Sequence, residues 1–193
     1  MPGIPIGVVL AGGRGRRIGG DKAIVELDGR PLIEYPLAVV GAVLDDVGVV
    51  AKRDTVLPPL RGMATVWLEP DAPRHPLAGV VHALRVARGR PVVVVAADMP
   101  LLGTELVREL AFADAGGRVA IVPRAGGRLQ PLCARYEAAA LGALERFDPH
   151  AAATDAVAAL EPTVLELDDE LPFFNVNAPE DLLQASALLA AAE

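Results

Sequence analysis

Glycine, arginine and lysine residues are concentrated directly after the first apolar run of the chain. That run ends at Leu10, and the segment after it reads Ala-Gly-Gly-Arg-Gly-Arg-Arg-Ile-Gly-Gly-Asp-Lys and ends at Lys22. Glycines let backbone N–H groups approach a polyphosphate closely, and arginine and lysine neutralise its charge. The segment therefore predicts a loop that binds the phosphates of a nucleoside triphosphate.

Two common phosphate-binding fingerprints do not fit this loop. The dinucleotide pattern Gly-x-Gly-x-x-Gly matches from Gly13, but Ile18 stands where the third glycine belongs. The Walker pattern matches over Gly15–Gly20, but Lys22 comes one position late. No serine or threonine follows that lysine to bind Mg²⁺. Both fingerprints are excluded by the residues that define them.

The loop instead matches a nucleotidyltransferase pattern, Leu-Ala-Gly-Gly-x-x-x-Arg-(Met/Ile)-Gly-x-Asp-Lys. The matching residues are Leu10, Ala11, Gly12, Gly13, Arg17, Ile18, Gly19, Asp21 and Lys22. Four later segments follow in the order typical of one family: His75–Gly79, Ala97–Pro100, Gln130–Tyr136 and Phe174–Asp181. The chain resembles the molybdenum cofactor guanylyltransferases over nearly its whole length. The Asn-Val-Asn-x-Pro-Glu motif narrows the resemblance to that family.

Length and composition predict a single cytoplasmic domain over residues 1–193. Eighteen Lys and Arg residues against 25 Asp and Glu residues leave a formal charge of −7, which argues against nucleic-acid binding. The single cysteine, Cys133, fits a reducing compartment and excludes an intrachain disulfide. The first residues lack the basic segment of a signal peptide, and no apolar stretch reaches the roughly 18 residues that a membrane helix needs.

Short apolar runs rich in β-branched residues alternate with longer helix-like segments, a pattern typical of a parallel α/β sheet. We predict strands over Ile6–Leu10, Val47–Ala51, Thr65–Leu68, Pro91–Ala97, Val119–Pro123, Pro131–Tyr136 and Val164–Leu167. We predict helices over Leu32–Val43, Leu77–Ala87, Gly103–Ala113, Glu137–Glu145, Ala151–Leu160 and Pro179–Ala192. Pro36 lies inside the first helical pattern, so that helix should kink or begin later. The expected architecture is a three-layer α/β/α domain with a mostly parallel, Rossmann-like nucleotidyltransferase sheet.

Nucleotidyl transfer requires an α-phosphate held in line with the attacking oxygen and neutralisation of the charge on the phosphate oxygens. We expect backbone N–H groups at Gly12 and Gly13 to contact the phosphates. Arg17 and Lys22 are the expected cationic contacts and, together with Asp98, the expected catalytic residues.

Asp98 is the candidate for binding a magnesium ion. It follows the predicted strand Pro91–Ala97, whose four consecutive valines indicate burial on both faces. Ligands of open α/β sheets gather at the carboxyl edge, where the Asp98 carboxylate should emerge. One carboxylate with water and substrate phosphates is the usual way that proteins hold Mg²⁺. The family's matching Asp-x-Pro segment implies the same role, and a carboxylate that caps the turn before Pro100 is the alternative.

Two acids after the third predicted strand, Glu69 and Asp71, fit one expected role. The resemblance implies an acid in this loop that contacts nucleotide or metal, and Asp71 is the residue that we favour.

Many relatives carry an asparagine at the end of the second strand, near the nucleotide, whereas this chain has Lys52 there. Lys52 either replaces that contact or is a surface charge at the strand end, and we favour the surface charge.

Asn175 and Asn177 stand two positions apart, so in an extended segment both amides face the same side. Amides suit a neutral heterocycle with many donors and acceptors, such as a pterin. The resemblance implies that this segment contacts the molybdopterin substrate, and that Gln130 and Arg135 on the preceding segment contact its phosphate. Capping of a helix that begins at Pro179 is the alternative role, above all for Asn177.

The resemblance implies that GTP and Mg²⁺ bind, that the terminal phosphate of molybdenum-molybdopterin attacks the α-phosphorus, and that pyrophosphate leaves. Leu-Ala-Gly-Gly favours guanine, because relatives that use CTP carry Leu-Ala-Ala-Gly. Two alternatives stay open. One is a nucleotidyltransferase of the same fold that acts on a sugar phosphate, phospholactate or a CTP-dependent cofactor variant. The other is a non-catalytic module that binds nucleotide and chaperones the cofactor. Transient contact with cofactor-synthesis proteins or acceptor molybdoenzymes is compatible with the family.

Overall fold

The computed structural model describes residues 3–12, 14–15 and 20–192. Within these ranges the main sheet has eight strands. They are β1 (Ile6–Leu10), β2 (Val47–Ala51), β3 (Thr65–Leu68), β4 (Val92–Ala96), β5 (Ala120–Ala125), β6 (Arg128–Leu129), β7 (Cys133–Tyr136) and β8 (Thr163–Leu167). Two short ribbons, Arg14–Gly15 with Gly20–Asp21 and Glu26–Leu27 with Arg30–Pro31, lie between β1 and the first helix.

The described α-helices lie between strands along the chain, except the last, which follows β8. They are α1 (Glu34–Gly41), α2 (Pro76–Val86), α3 (Thr104–Phe112), α4 (Leu141–Leu144), α5 (Ala153–Ala158) and α6 (Pro179–Ala192). Short 3₁₀ turns cover Lys22–Ile24, Ala138–Ala140 and Leu171–Phe173. Within the described ranges, no helix combines the length and the apolar composition needed to cross a bilayer.

The strands are hydrogen-bonded in the order β6-β5-β7-β4-β1-β2-β3, and β8 pairs with β5. Strands β1 to β4 are parallel, whereas β7 runs antiparallel to both of its neighbours, β4 and β5. In this register Leu10 pairs with both Val50 and Ala96. Ala51 pairs with Leu68. The carboxyl ends of β1 to β4 therefore lie at one edge of the sheet.

Helices cover both faces of the sheet, as consecutive apolar residues in β1 and β4 require. One buried cluster joins α1 and α3 to Val9, Val93 and Val95. A second joins α2, α4 and α5 to Val8 and Val94 on the other face. Odd and even positions of the same strand thus build two separate cores, which makes the domain three-layered.

The observed elements confirm the predicted strands and helices with bounds that differ by a few residues, and the predicted helix Glu137–Glu145 is divided into the 3₁₀ turn Ala138–Ala140 and α4. α1 begins at Glu34, which places Pro36 in the first turn, where a missing N–H costs no helical hydrogen bond. β5 extends to Ala125, beyond the predicted strand Val119–Pro123, and turns back into β6 through Gly126 and Gly127. Both glycines have positive φ, which lets the two strands connect in a tight hairpin.

Candidate active site

A cavity of about 510 Å³ lies over the carboxyl ends of the four parallel strands β1 to β4. The hydrogen-bond ladder continues past the strand ends, from Ala11 N to Val50 O, from Ala97 N to Leu10 O and from Glu69 N to Ala51 O. The residues that follow each strand are therefore held beside one another. Apolar side chains such as Leu10, Val50 and Leu132 also line the cavity. Among the described residues, its charged side chains form three ion pairs: Lys22 with Asp98, Lys52 with Glu69, and the exposed pair of Arg74 with Asp54.

The first pair joins the start of the chain to the end of β4. Lys22 Nζ lies 2.6 Å from Asp98 Oδ2 and also donates to Asn177 Oδ1 at 2.6 Å. The side chains of Lys22 and Asp98 are 17% and 18% exposed, so both reach solvent through the cavity. An ammonium that reaches solvent through a cavity is suited to bind a phosphate group, and a carboxylate in the same position is suited to bind a divalent cation.

The segment that carries both asparagines is tied to the end of β4 by its backbone. Val176 N donates to Asp98 O at 3.0 Å, which brings Asn175 and Asn177 to the cavity side. Asn175 lines the cavity and Asn177 reaches Lys22. The helix α6 is capped instead by Asp181, whose Oδ2 accepts from the backbone N–H groups of Asn177 and Ala178. The side chain of Asn177 is thus used at the cavity and not for capping.

The second pair is buried at the ends of β2 and β3. Lys52 Nζ lies 3.2 Å from Glu69 Oε1 and donates to Pro70 O at 2.7 Å. An added Cβ would lie 3.5 Å from Glu69 Oε1 at Gly12 and 3.7 Å from Glu69 Oε2 at Gly79. Gly12 therefore leaves room beside the carboxylate, whereas at Gly79 an added Cβ would lie 3.0 Å from Leu10 Cδ2. Glu69 Oε2 is buried and has no hydrogen-bond partner among the described residues.

The structure bears on two predictions about this second pair. Asp71, the acid favoured from sequence, is exposed and does not line the cavity, whereas Glu69 does. Glu69 directly follows β3 and its backbone continues the ladder, so its side chain is fixed at the sheet edge. Lys52 is not a surface charge either: its side chain is only 10% exposed and pairs with Glu69.

Arg135, a predicted substrate contact, does not line this cavity. It lies opposite Val93, near the amino end of β4. Its Nη1 donates to the carbonyl oxygens of Leu110, Ala111 and Ala113, at 2.9 to 3.2 Å, which caps the carboxyl end of α3. Its Nη2 lies 2.7 Å from Glu137 Oε1. Arg135 is therefore a structural residue at the opposite edge of the sheet.

Gln130 also lies away from the cavity lining. Its Nε2 donates to Arg128 O and its backbone N–H to Pro123 O within the β5–β6 hairpin. Leu132, two residues later, is the member of this segment that lines the cavity. The segment that matches the family thus supports the site through Leu132. The side chains of Gln130 and Arg135 form hydrogen bonds in other parts of the fold.

An Arg135→Met variant should be destabilised by about 2–4 kcal/mol, because α3 loses its carboxyl cap and Glu137 loses its cation. Arg118→Met, which removes an exposed ion pair with Glu161, is the matched control and should cost less than about 1 kcal/mol. Denaturant unfolding measures both changes. An Arg135→Met protein with the stability of the parent and impaired substrate binding would restore the original prediction.

Gly13 and Arg17 lie outside the described residues, so their phosphate contacts stay predictions. Leu10, Ala11, Gly12, Lys22 and Asp98 all line the cavity, as predicted for residues of one binding site.

Asp98 meets the requirements of a magnesium ligand. A carboxylate has two oxygens and about four acceptor sites, so a bond from Lys22 leaves Asp98 able to coordinate an ion. No group of three His, Cys, Asp or Glu side chains within the described ranges could hold a metal by itself. An ion at Asp98 would therefore take its other ligands from water and from phosphates, which is the usual arrangement for Mg²⁺.

Burial raises the pKa of the Cys133 thiol to about 12, which makes it inert as a ligand or nucleophile.

Comparison with known proteins identifies the family. Residues 7–164 match the MobA-like NTP transferase domain. The molybdenum cofactor guanylyltransferase of Cereibacter sphaeroides is 37% identical over 195 residues, which cover 95% of this chain and 96% of that protein. A probable molybdenum cofactor guanylyltransferase of Thermococcus gammatolerans is 35% identical, with 92% and 96% covered.

A solved structure extends the similarity to the fold. Molybdopterin-guanine dinucleotide biosynthesis protein A from Archaeoglobus fulgidus superimposes with a TM-score of 0.73 at 26% sequence identity, over 96% of this chain and 98% of that chain. The mostly parallel sheet, the cavity over its carboxyl edge and the matched residues agree with this similarity. The chain is a nucleotidyltransferase that belongs to the MobA-like NTP transferase domain family.

Proposed function

We propose that this protein transfers GMP from GTP to molybdenum-molybdopterin, giving the guanine dinucleotide form of the cofactor and pyrophosphate. One observation carries the proposal: a single cavity has a cation and a carboxylate at one end, Lys22 and Asp98, and a buried free acceptor at the other, Glu69 Oε2. The names of the relatives support the same reaction. We propose that it takes place in the cytoplasm.

The two ends suit the two parts of a nucleotide. β4 and β3 are three strand positions apart, so with a spacing of roughly 4.8 Å their ends are separated by about 14 Å. In this proposal the phosphates lie at the Lys22 end, next to the glycine-rich loop. The base lies toward Glu69, beside Gly12, where the missing side chain leaves space next to the carboxylate. Apolar contact with Leu10 and Val50 would shield the base from water.

Guanine fits the free acceptor at this end. Its N1–H and N2–H₂ groups are adjacent donors, whereas adenine presents an acceptor at N1. Glu69 Oε2 is a buried carboxylate oxygen that lacks a donor among the described residues, and leaving it unpaired is unfavourable. A guanine edge placed there would supply the missing hydrogen bond. This interaction supports guanine independently of the Leu-Ala-Gly-Gly sequence.

At the phosphate end, Lys22 would exchange its bonds to Asp98 and Asn177 for bonds to phosphate oxygens and hold the α-phosphate in place. Asp98 would bind Mg²⁺, which when present neutralises charge on the phosphate oxygens. Asn175, which lines the cavity next to this end, would contact the pterin substrate. Transient contact with cofactor-synthesis proteins or acceptor molybdoenzymes would deliver and remove the cofactor.

Product formation tests this function. The protein is incubated with Mg²⁺, molybdenum-molybdopterin and one of GTP, ATP, CTP or UTP, and pyrophosphate and the dinucleotide are measured. GTP should give both products, and Asn175→Ala should reduce product formation while the Kd for GTP stays near that of the parent. Nucleotide binding without pyrophosphate release would support the chaperone alternative. Turnover with a sugar phosphate, or with CTP in preference to GTP, would support another nucleotidyltransferase.

A further inference from the structure

The ion pair between Lys52 and Glu69 is unusual because both side chains are almost fully buried. Their side chains are 10% and 6% exposed. Removing an ammonium and a carboxylate from water is costly, and a buried pair by itself is weak evidence of a gain in stability. A chain that buries two charges at the rim of a ligand cavity therefore points to a function for them.

The side-chain ammonium of Lys52 holds the end of the neighbouring strand β3. This ammonium donates to Pro70 O and lies beside Glu69 Oε1, so two consecutive residues after β3 are held by one cation. The backbone of Lys52 is fixed in turn, because Lys52 N donates to Thr55 Oγ1 and Thr55 N donates to Lys52 O. The lysine is thus a rigid support for the carboxylate.

This arrangement separates the two oxygens of Glu69. Oε1 faces Lys52, whereas Oε2 lies toward Gly79 and has no partner among the described residues. His82, one turn further along α2, is the other titratable group coupled to this pair. Burial lowers the pKa of His82, Glu69 raises it, and Arg85 and Lys52 lower it. His82 is therefore mainly neutral at pH 7. Among the residues that the structure describes, the cation within ion-pair distance of Glu69 is Lys52.

We propose that Lys52 is the positioning residue for base selection: it holds Glu69 by Oε1, so that the buried Oε2, which lies toward Gly79 at the cavity wall, is the oxygen left to accept a hydrogen bond from the ligand. The proposal rests on the function proposed above, in which the ligand is GTP. A ligand with a donor edge, such as guanine, is accepted at Oε2. A ligand with an acceptor there, such as adenine, meets an uncompensated carboxylate oxygen.

Binding constants for GTP and ATP test this proposal, measured calorimetrically with the parent and with Lys52→Met, Lys52→Arg, Glu69→Gln and the double variant. The preference for GTP, expressed as the ratio of the two Kd values, should fall by about 10- to 100-fold in Lys52→Met, the scale of a hydrogen bond to a charged group. Lys52→Arg should keep most of the preference. In the Glu69→Gln background, Lys52→Met should cause little further change, because the lysine acts through that carboxylate.

The parent protein separates the two proposals. If the parent itself does not distinguish GTP from ATP, the proposed function fails before any variant is made. If the parent prefers GTP and Lys52→Met, still folded by thermal unfolding, keeps the same ratio, the role of Lys52 is overturned. Should Lys52→Met not fold, Lys52→Gln and Lys52→Arg replace it: a lower ratio in Gln than in Arg supports the proposal, and equal ratios refute it.

Discussion

An Asp98→Asn variant should turn over GTP about 100-fold more slowly than the parent, or slower still, and melt at nearly the same temperature. Asparagine keeps the shape of the side chain and an oxygen for Lys22 but removes the negative charge that a metal ion requires. Loss of electrostatic stabilisation at a transferring phosphate commonly costs this much in rate. The pair with Lys22 reaches solvent, so its contribution to folding is at most about 1 kcal/mol. Steady-state kinetics over a range of Mg²⁺ concentrations and thermal unfolding provide the two measurements.

Asp71→Asn is the matched control for this experiment. It makes the same chemical change at an exposed acid that does not line the cavity, so its turnover should equal that of the parent. An Asp98→Asn protein that keeps parental turnover at limiting Mg²⁺ would show that the ion is held elsewhere, and Glu69 would be the next residue to test.

A Lys22→Met variant should bind GTP more weakly by about 1–3 kcal/mol, which is roughly a 5- to 150-fold rise in Kd. Methionine keeps an unbranched apolar side chain but cannot neutralise a phosphate. Asn177→Ala should have a smaller effect, about 0.5–1.5 kcal/mol, because Lys22 keeps its charge and loses only one of the two groups that orient it. Calorimetric titration with GTP and Mg²⁺ measures both.

The informative result is which of the two variants, Lys22→Met or Asn177→Ala, loses more affinity for GTP. Asn175→Ala serves as the control, because Asn175 has no observed bond to Lys22: its Nδ2 donates to Phe173 O. Equal GTP affinity in Lys22→Met and the parent would exclude Lys22 as a phosphate contact. A larger loss in Asn177→Ala than in Lys22→Met would mean that the asparagine binds the nucleotide directly.

The sheet could be predicted from sequence because its strands are buried on both faces. A short, uninterrupted apolar run between turn residues, such as Val92–Ala96, is typical of a buried strand. Parallel pairing of such strands then brings the carboxyl ends of β1 to β4 together. Asp98 followed from that geometry, since it comes directly after the predicted strand Pro91–Ala97, whereas Lys22 followed from the pattern of the glycine-rich loop after β1. Their direct contact, across 76 positions of sequence, is a product of the register.

The differences between prediction and structure concern side chains whose role depends on their direction. Glu69 and Asp71 are two positions apart, and only the ladder bond from Glu69 N to Ala51 O shows that Glu69 still belongs to the sheet edge. Lys52 is interpreted from sequence as a surface charge at the end of a strand, because the sequence does not show that Glu69 lies opposite it. Arg135 belongs to a segment that matches the family, but its strand runs antiparallel, which carries its side chain to the far edge.

A crystal structure of the protein with GTP and Mg²⁺ would test the central claim most directly, through the positions of the phosphates and the base. The account predicts that Lys22 Nζ lies within hydrogen-bond distance of a phosphate oxygen, and that a guanine N–H group lies within hydrogen-bond distance of Glu69 Oε2. GTP bound in the reverse orientation, with its base beside Lys22 and Asp98, would contradict the account, as would GTP bound away from the carboxyl edge of β1 to β4.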